Sequence, residues 1–185
     1  LGLEALELGR EDIKGGTGAS WDESIYLLHG GDAERGAVVF VNKVELQCLR
    51  CHRATVGDQV SGGTMGPSLV GLGARRDRAH VLASILDPNA EIASGFSTAL
   101  FTLRSGESVY GQILRDTETQ VIVGIPALSD ANEGAEAGAM VLNERPIDTA
   151  DIASRSPGVS GMPPGLANLM SPFELRDLIE FVASQ

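Results

Sequence analysis

The chain contains the stretch Cys48-Leu49-Arg50-Cys51-His52, around which the rest of the sequence can be interpreted. Cys-x-x-Cys-His is the attachment sequence of c-type haem, and both cysteines of the protein lie inside it. Two thiols three positions apart lie on one side of a short helical turn, where they can form thioethers with the two vinyl groups of one porphyrin. His52 follows directly, so its imidazole can ligate the iron as the proximal ligand. The motif predicts one covalently bound haem c.

Three other uses of a cysteine pair remain open. A redox dithiol sits near a βαβ pattern, whereas the residues before Cys48 continue an apparent helix. A structural zinc site needs four ligands, commonly a second Cys/His pair, and only His29 and His80 remain in separate contexts. A simple disulfide would leave His52 unexplained.

Composition limits the class of protein. With 185 residues, the chain is long enough for one domain or for one domain with a large insertion. The hydrophobic content of 43% is sufficient for a core, and no apolar run approaches the ~18 residues of a membrane span. A formal charge of −11 argues against nucleic-acid binding, which favours clustered basic residues. A partner should instead present a basic or apolar surface.

Helical patterns flank the haem motif. Asp32 predicts the N-cap of a helix from Ala33 to about Leu46. Gly36 is a poor helix former, and it indicates a close crossing with another helix. The predicted partner is the last helix, which begins at the capping box Ser171-Pro172-Phe173-Glu174. The apolar stripe of the helix that begins at Ala33, the second along the chain after a short one before residue 30, is predicted to comprise Ala37, Phe40, Val41 and Val44.

A third helix should begin at Asp77 and end at Asp87-Pro88, with His80 on its solvent side. Alternating patterns then predict strands at 97–103, 108–114 and 120–125, with short edge strands after residue 140. We therefore divide the chain into an N-terminal arm with a short helix (1–30) and a main domain (31–185). The β-rich segment 97–153 is interpreted as an insertion that docks a partner or shields the haem without building its site.

Two further residues are candidate parts of a haem site. Ligating histidines usually donate their other ring N–H to a carbonyl, and Pro67 is well placed to supply one to His52. Among the four methionines, Met162 lies in a stiff Gly/Pro loop that can present its thioether with little loss of entropy. Met65 lies close after His52 and is expected not to reach the opposite face, while Met140 reads as part of a strand and Met170 as core.

Four segments together carry a resemblance to a known family: Gly36-x3-Phe40, Cys48-x2-Cys51-His52, Gly66-Pro67-x-Leu69 and Ser84-Ile85-Leu86-Asp87-Pro88. They resemble class I cytochrome c, and more narrowly the haem-binding domains appended to large secreted proteins of planctomycetes, verrucomicrobia and polysaccharide-degrading bacteria. Ser160-Gly161-Met162-Pro163-Pro164-Gly165 continues the pattern, so the resemblance covers about residues 31–185. It implies a mainly α class I cytochrome c fold with a small antiparallel β insertion between the third helix and the axial-methionine loop.

The resemblance also implies a function. It implies a low-spin haem with His52 and Met162 as axial ligands, and single-electron transfer to or from a redox enzyme rather than catalysis. The implied partner is a redox protein or a fused enzyme, for example a quinoprotein dehydrogenase or a copper oxygenase. Because covalent haem is attached outside the bacterial cytoplasm, we expect a periplasmic or extracellular protein. We also expect the chain to be monomeric and to be a domain of a larger exported protein. The alternative is an open-site haem enzyme or gas sensor, which would need a vacant or weakly held distal position.

Overall fold

The computed structural model describes residues 26–129 and 138–185 of the chain. Of these residues 32% are helical and 30% are in strands, so the expectation of a mainly α fold is wrong. The fold is a mixture of helices and an antiparallel sheet, because the β-rich segment forms far more than a small insertion. Most of the predicted N-terminal arm lies outside the described residues, although residues 26–28 are helical.

The described residues after position 31 form four α-helices and eight strands. The helices are α1 (Ala33–Asn42), α2 (Cys48–Cys51), α3 (Arg78–Leu86) and α4 (Pro172–Ala183). The strands are β1 (Ala54–Val56), β2 (Gln59–Ser61), β3 (Ser97–Leu103), β4 (Ser108–Asp116), β5 (Gln120–Leu128), β6 (Met140–Asp148), β7 (Ile152–Arg155) and β8 (Val159–Ser160). Short 3-10 helices lie at Leu72–Ala74, Thr149–Asp151 and Leu166–Leu169.

Helices α1 and α4 cross at Gly36, as the sequence predicts. A Cβ at Gly36 would overlap the backbone carbonyl of Asp177 and lie 2.7 Å from the Cβ of Phe181. The rings of Phe40 and Phe181 pack beside this crossing with their centroids 5.2 Å apart. The capping box of Ser171 and Glu174 begins α4. The absence of a side chain at Gly36 is therefore what allows the two backbones to approach.

Helix α1 is shorter than its sequence pattern predicts. It ends at Asn42, and the chain then turns through Lys43 to Gln47 before α2 begins. Val44, predicted as part of the apolar stripe, is 73% exposed, whereas Leu46 enters the core from the turn. After the turn, Cys48 and Leu49 pack against the same core as Leu46.

The larger sheet is antiparallel throughout its six strands. Its order is β6-β5-β4-β3-β7, and β8 pairs with the other end of β3. β6 is one continuous nine-residue strand, where the sequence indicated only short edge strands. Pro146 is tolerated because β6 lies at the edge of the sheet and has a neighbouring strand on one side only. Proline, which lacks a backbone N–H, is therefore acceptable there.

The described residues form two separate hydrophobic cores. The first lies between α1, α3, α4 and the haem motif, and it includes Phe40, Leu175 and Ile179. In the described parts of the chain, the members of the second core all come from the sheet's own strands, among them Phe101, Val121 and Val123. Since its members come from five neighbouring strands, the sheet must curve around them. No helix in the described parts of the chain is both long and apolar enough to cross a bilayer.

Candidate functional site

The haem motif forms a single helical turn at the wall of a cavity. Gln47 precedes α2 in the left-handed conformation (φ 51°), which turns the chain sharply into the helix. The N–H of His52 closes the turn by donating to the carbonyl of Cys48 at 2.9 Å. Cys48 and Cys51 are both half-buried free thiols, and both line the cavity. The spacing thus presents two thiols and one imidazole to the same space.

This cavity has a volume of about 490 Å³, within the roughly 300–1,000 Å³ typical of cofactor sites. It lies between the helical core and the segments 93–96 and 160–166. Its apolar lining includes Phe40, Leu46, Val81, Ile85, Leu178 and Val182. The cavity is therefore shaped for a large apolar group that reaches the two thiols.

His52 is held in one orientation by its neighbours. Its Nδ1 lies 2.8 Å from the carbonyl oxygen of Pro67, so Nδ1 carries the proton and Nε2 keeps its lone pair. Gly66 packs against the ring, where a Cβ would lie 2.5 Å from Cε1. Burial lowers the pKa of His52, against the smaller opposing effect of the Pro67 carbonyl. The imidazole is thus kept neutral, which is the form that binds a metal.

The two thiols are poorly suited to redox exchange. Burial raises the pKa of Cys48 to about 11. Burial also raises the pKa of Cys51, although the charge of Arg50 opposes this. Reactive dithiols need a lowered pKa because the thiolate is the nucleophile. A thioredoxin-like role is therefore disfavoured by the local environment.

A zinc site is also disfavoured. Within residues 26–129 and 138–185, no group of three or more His, Cys, Asp or Glu side chains is arranged to hold a metal ion. A structural zinc centre needs four such ligands. The thiols and His52 instead share their cavity with apolar side chains and with methionines.

Three methionines line the cavity: Met65, Met162 and Met170. Met65 lies beside the loop that carries Met162, which its position in the sequence does not suggest. A Cβ built at Gly161 would be 3.3 Å from the methyl carbon of Met65. Met162 packs against the helical core, and its N–H donates to the hydroxyl of Ser160 at 3.1 Å. The assignment of Met162 as a ligand stays a prediction, with Met65 as the competitor that the fold brings near.

The sheet contacts both loops of the site, although none of the described residues in segment 97–153 lines the cavity. β8, two residues before Met162, pairs with Ser97 and Thr98 of β3. At the other end of the sheet, the carbonyl of Met140 accepts the N–H of Thr64, in the loop after His52, at 2.9 Å. These contacts join residues more than sixty positions apart, so no local pattern indicates them.

The sequence pattern also did not predict which polar residues line the cavity. His80 lines the cavity instead of facing solvent, with Nδ1 3.8 Å from a carboxylate oxygen of Glu91. Arg76, another lining residue, pairs with the same carboxylate at 3.1 Å. Segment 91–96, which also lines the cavity, follows Pro88 without any periodic pattern and leads directly into β3.

The residues present fit a covalently bound haem. The cavity offers two unpaired thiols at the required spacing, a neutral histidine with a free Nε2, and soft thioether donors, and these donor types suit haem iron. No protein-family model matches the sequence, and a search of curated proteins gives no significant match. Inference about function therefore depends on the motif and on the geometry of this cavity.

Proposed function

We propose that this chain is a c-type cytochrome domain that carries one haem c and passes single electrons to or from a redox protein. The observation that carries the proposal is the convergence of Cys48, Cys51 and His52 on one apolar cavity, with the Nδ1 of His52 committed to Pro67. When bound, the haem supplies a one-electron Fe(III)/Fe(II) couple.

The residues of this chain bind and orient that group. Cys48 and Cys51 hold it covalently, and His52 is fixed by Pro67 and by the close approach of Gly66 so that Nε2 points away from Pro67. The apolar wall excludes water, which favours the less charged, reduced state and raises the potential. Met162 is the proposed distal ligand, and a thioether there raises the potential further.

The partner and location are part of the same proposal. Since haem c is attached outside the bacterial cytoplasm, the domain functions in the periplasm or outside the cell. A net charge of −11 favours a partner whose docking surface is basic or apolar. A separate redox protein and an enzyme fused to this domain both satisfy that requirement.

The first experiment tests covalent attachment. The chain is exported in a host that matures c-type cytochromes, and the purified protein is extracted with acid acetone. We expect the haem to stay with the polypeptide, and the Cys51→Ala variant to retain one thioether and mature poorly. Extraction of the haem from the parent protein would refute the proposal.

The second experiment compares the three methionines of the cavity. Met162→Ala should abolish the absorption band that a thioether gives ferric haem, whereas Met65→Ala and Met170→Ala should retain it. If Met65→Ala alone abolishes the band, the ligand assignment is wrong. If the parent protein lacks the band and binds azide or carbon monoxide without displacing a ligand, an open-site haem protein is the better assignment.

A further inference from the structure

The loop that carries Met162 is attached to the sheet and not only to the helices. Strand β8 adds to the edge of β3, with Ser97 opposite Ser160 and Thr98 opposite Val159. This pairing ends one residue before Gly161, where a Cβ would lie 3.3 Å from the methyl carbon of Thr98. The position of the Met162 backbone is therefore set by the position of β3.

Thr98 is the side chain at the centre of this attachment. It is fully buried, and its hydroxyl donates to the carbonyl of Val159 at 3.1 Å. The same hydroxyl oxygen accepts from the Tyr110 hydroxyl on β4, also at 3.1 Å. A buried hydroxyl with both of its roles satisfied holds its partners in one arrangement.

Asn89 holds the same loop from outside the sheet. Its side-chain oxygen accepts the N–H of Ser160 at 2.9 Å, while the Ser160 hydroxyl accepts the N–H of Met162. Asn89 follows α3, and its own N–H donates to Asp87 at 3.1 Å. The two residues before Gly161 are thus bonded on one side to β3 and on the other to the end of α3.

We propose that Thr98 and Asn89 are positioning residues for the thioether of Met162, so that the β-sheet keeps the distal ligand on the haem iron. The inference rests on the proposed function and deepens it. A thioether is a weak ligand that must compete with water and with added ligands. Fixing its loop before it binds removes the entropy that ordering would otherwise cost, and so strengthens its hold on the iron.

The experiment titrates the ferric holoprotein with imidazole, which displaces a methionine and abolishes its absorption band. Thr98→Val keeps the shape of the side chain but removes the hydroxyl. We expect it to lower the Kd for imidazole about tenfold, which corresponds to about 1.4 kcal/mol. Asn89→Ala should act in the same direction, and because Asn89 is exposed this second variant tests the inference even if Thr98→Val does not fold.

Three matched variants separate positioning from general destabilisation. Thr98→Ser and Asn89→Asp keep the required hydroxyl and oxygen acceptor, and both should remain close to the parent Kd. Thr102→Val makes the same substitution four residues along β3, away from the Met162 loop, and should have no effect.

The deciding control repeats Thr98→Val in a Met162→Ala background. There the competing thioether is gone, so we expect Thr98→Val to leave the Kd for imidazole unchanged. An equal decrease of the Kd for imidazole in both backgrounds would overturn the inference. It would also be overturned if the parent shows the thioether band and neither Thr98→Val nor Asn89→Ala changes that Kd. A parent protein with covalent haem but no such band would overturn the Met162 assignment and this inference, while leaving covalent attachment intact.

Discussion

The crossing at Gly36 gives a quantitative prediction about stability. In a Gly36→Ala variant, the new methyl group would lie 2.6 Å from the carbonyl carbon of Asp177 and 2.7 Å from the Cβ of Phe181. Carbon atoms in contact prefer about 3.5–4.0 Å, so α1 and α4 must separate by roughly 1 Å at this point. Overpacking of this kind costs about 1–3 kcal/mol. Separation also weakens the packing of Phe40 on Phe181, which contributes about 0.5–1.5 kcal/mol.

One effect opposes this loss, because alanine is a better helix former than glycine by about 1 kcal/mol. The net destabilisation should therefore be about 1–3 kcal/mol. For a protein of this size 1 kcal/mol lowers Tm by about 2–4 °C, so we expect a decrease on the order of 5 °C. The assay is thermal and urea unfolding of the holoprotein followed by circular dichroism, with Val38→Ala on the exposed side of α1 as control. A Gly36→Ala variant as stable as the parent would refute the close crossing.

Three further predictions concern the ligand, an ion pair and the sheet. Met162→His should lower the reduction potential in a redox titration, because a second histidine stabilises ferric iron more than a thioether does; an unchanged potential would contradict the ligand assignment. Burial raises the pKa of Asp177, but hydrogen bonds from Arg35 and from the N–H of Asp32 outweigh it and lower that pKa overall. The stabilisation of the folded state by the ionised Asp177 carboxylate is present above the unfolded pKa of about 4, and it is lost as the pH falls through the folded pKa. Asp177→Asn should therefore lower the free energy of unfolding by on the order of 1 kcal/mol at pH 7. The loss, measured by urea unfolding, should become progressively smaller below pH 4. Replacement of residues 97–155 by a Gly/Ser linker should leave the haem covalently attached but abolish the thioether band, and a retained band would show that the sheet is not needed to hold the ligand loop.

Features set by neighbouring residues could be predicted from the sequence. The two thiols of the haem motif lie on one side of α2 because a three-residue spacing is close to one helical turn, and His52 follows them directly as the C-cap residue. The caps at Asp32, Asp77 and Ser171 follow from side-chain oxygens that can reach a nearby backbone N–H. Gly36 indicated a helix crossing because glycine is unfavourable within a helix, and its missing side chain allows another backbone to approach closely.

Only the tertiary structure decided the rest. The balance of helix and strand was misjudged because β6 and β8 have no strong pattern of their own. β6 is a strand through its pairing with β5, and β8 through its pairing with β3, which is some sixty residues away. Val44 and His80 were assigned to the wrong surroundings because helical periodicity cannot show where a helix ends or what later packs beside it. The local pattern of Ser160-Gly161-Met162 indicates a stiff loop, but its attachment to Thr98 depends on a pairing across some sixty residues. Such a long-range pairing has no local signal, and that is why the sequence did not indicate that the first strand of the sheet holds the segment before Met162.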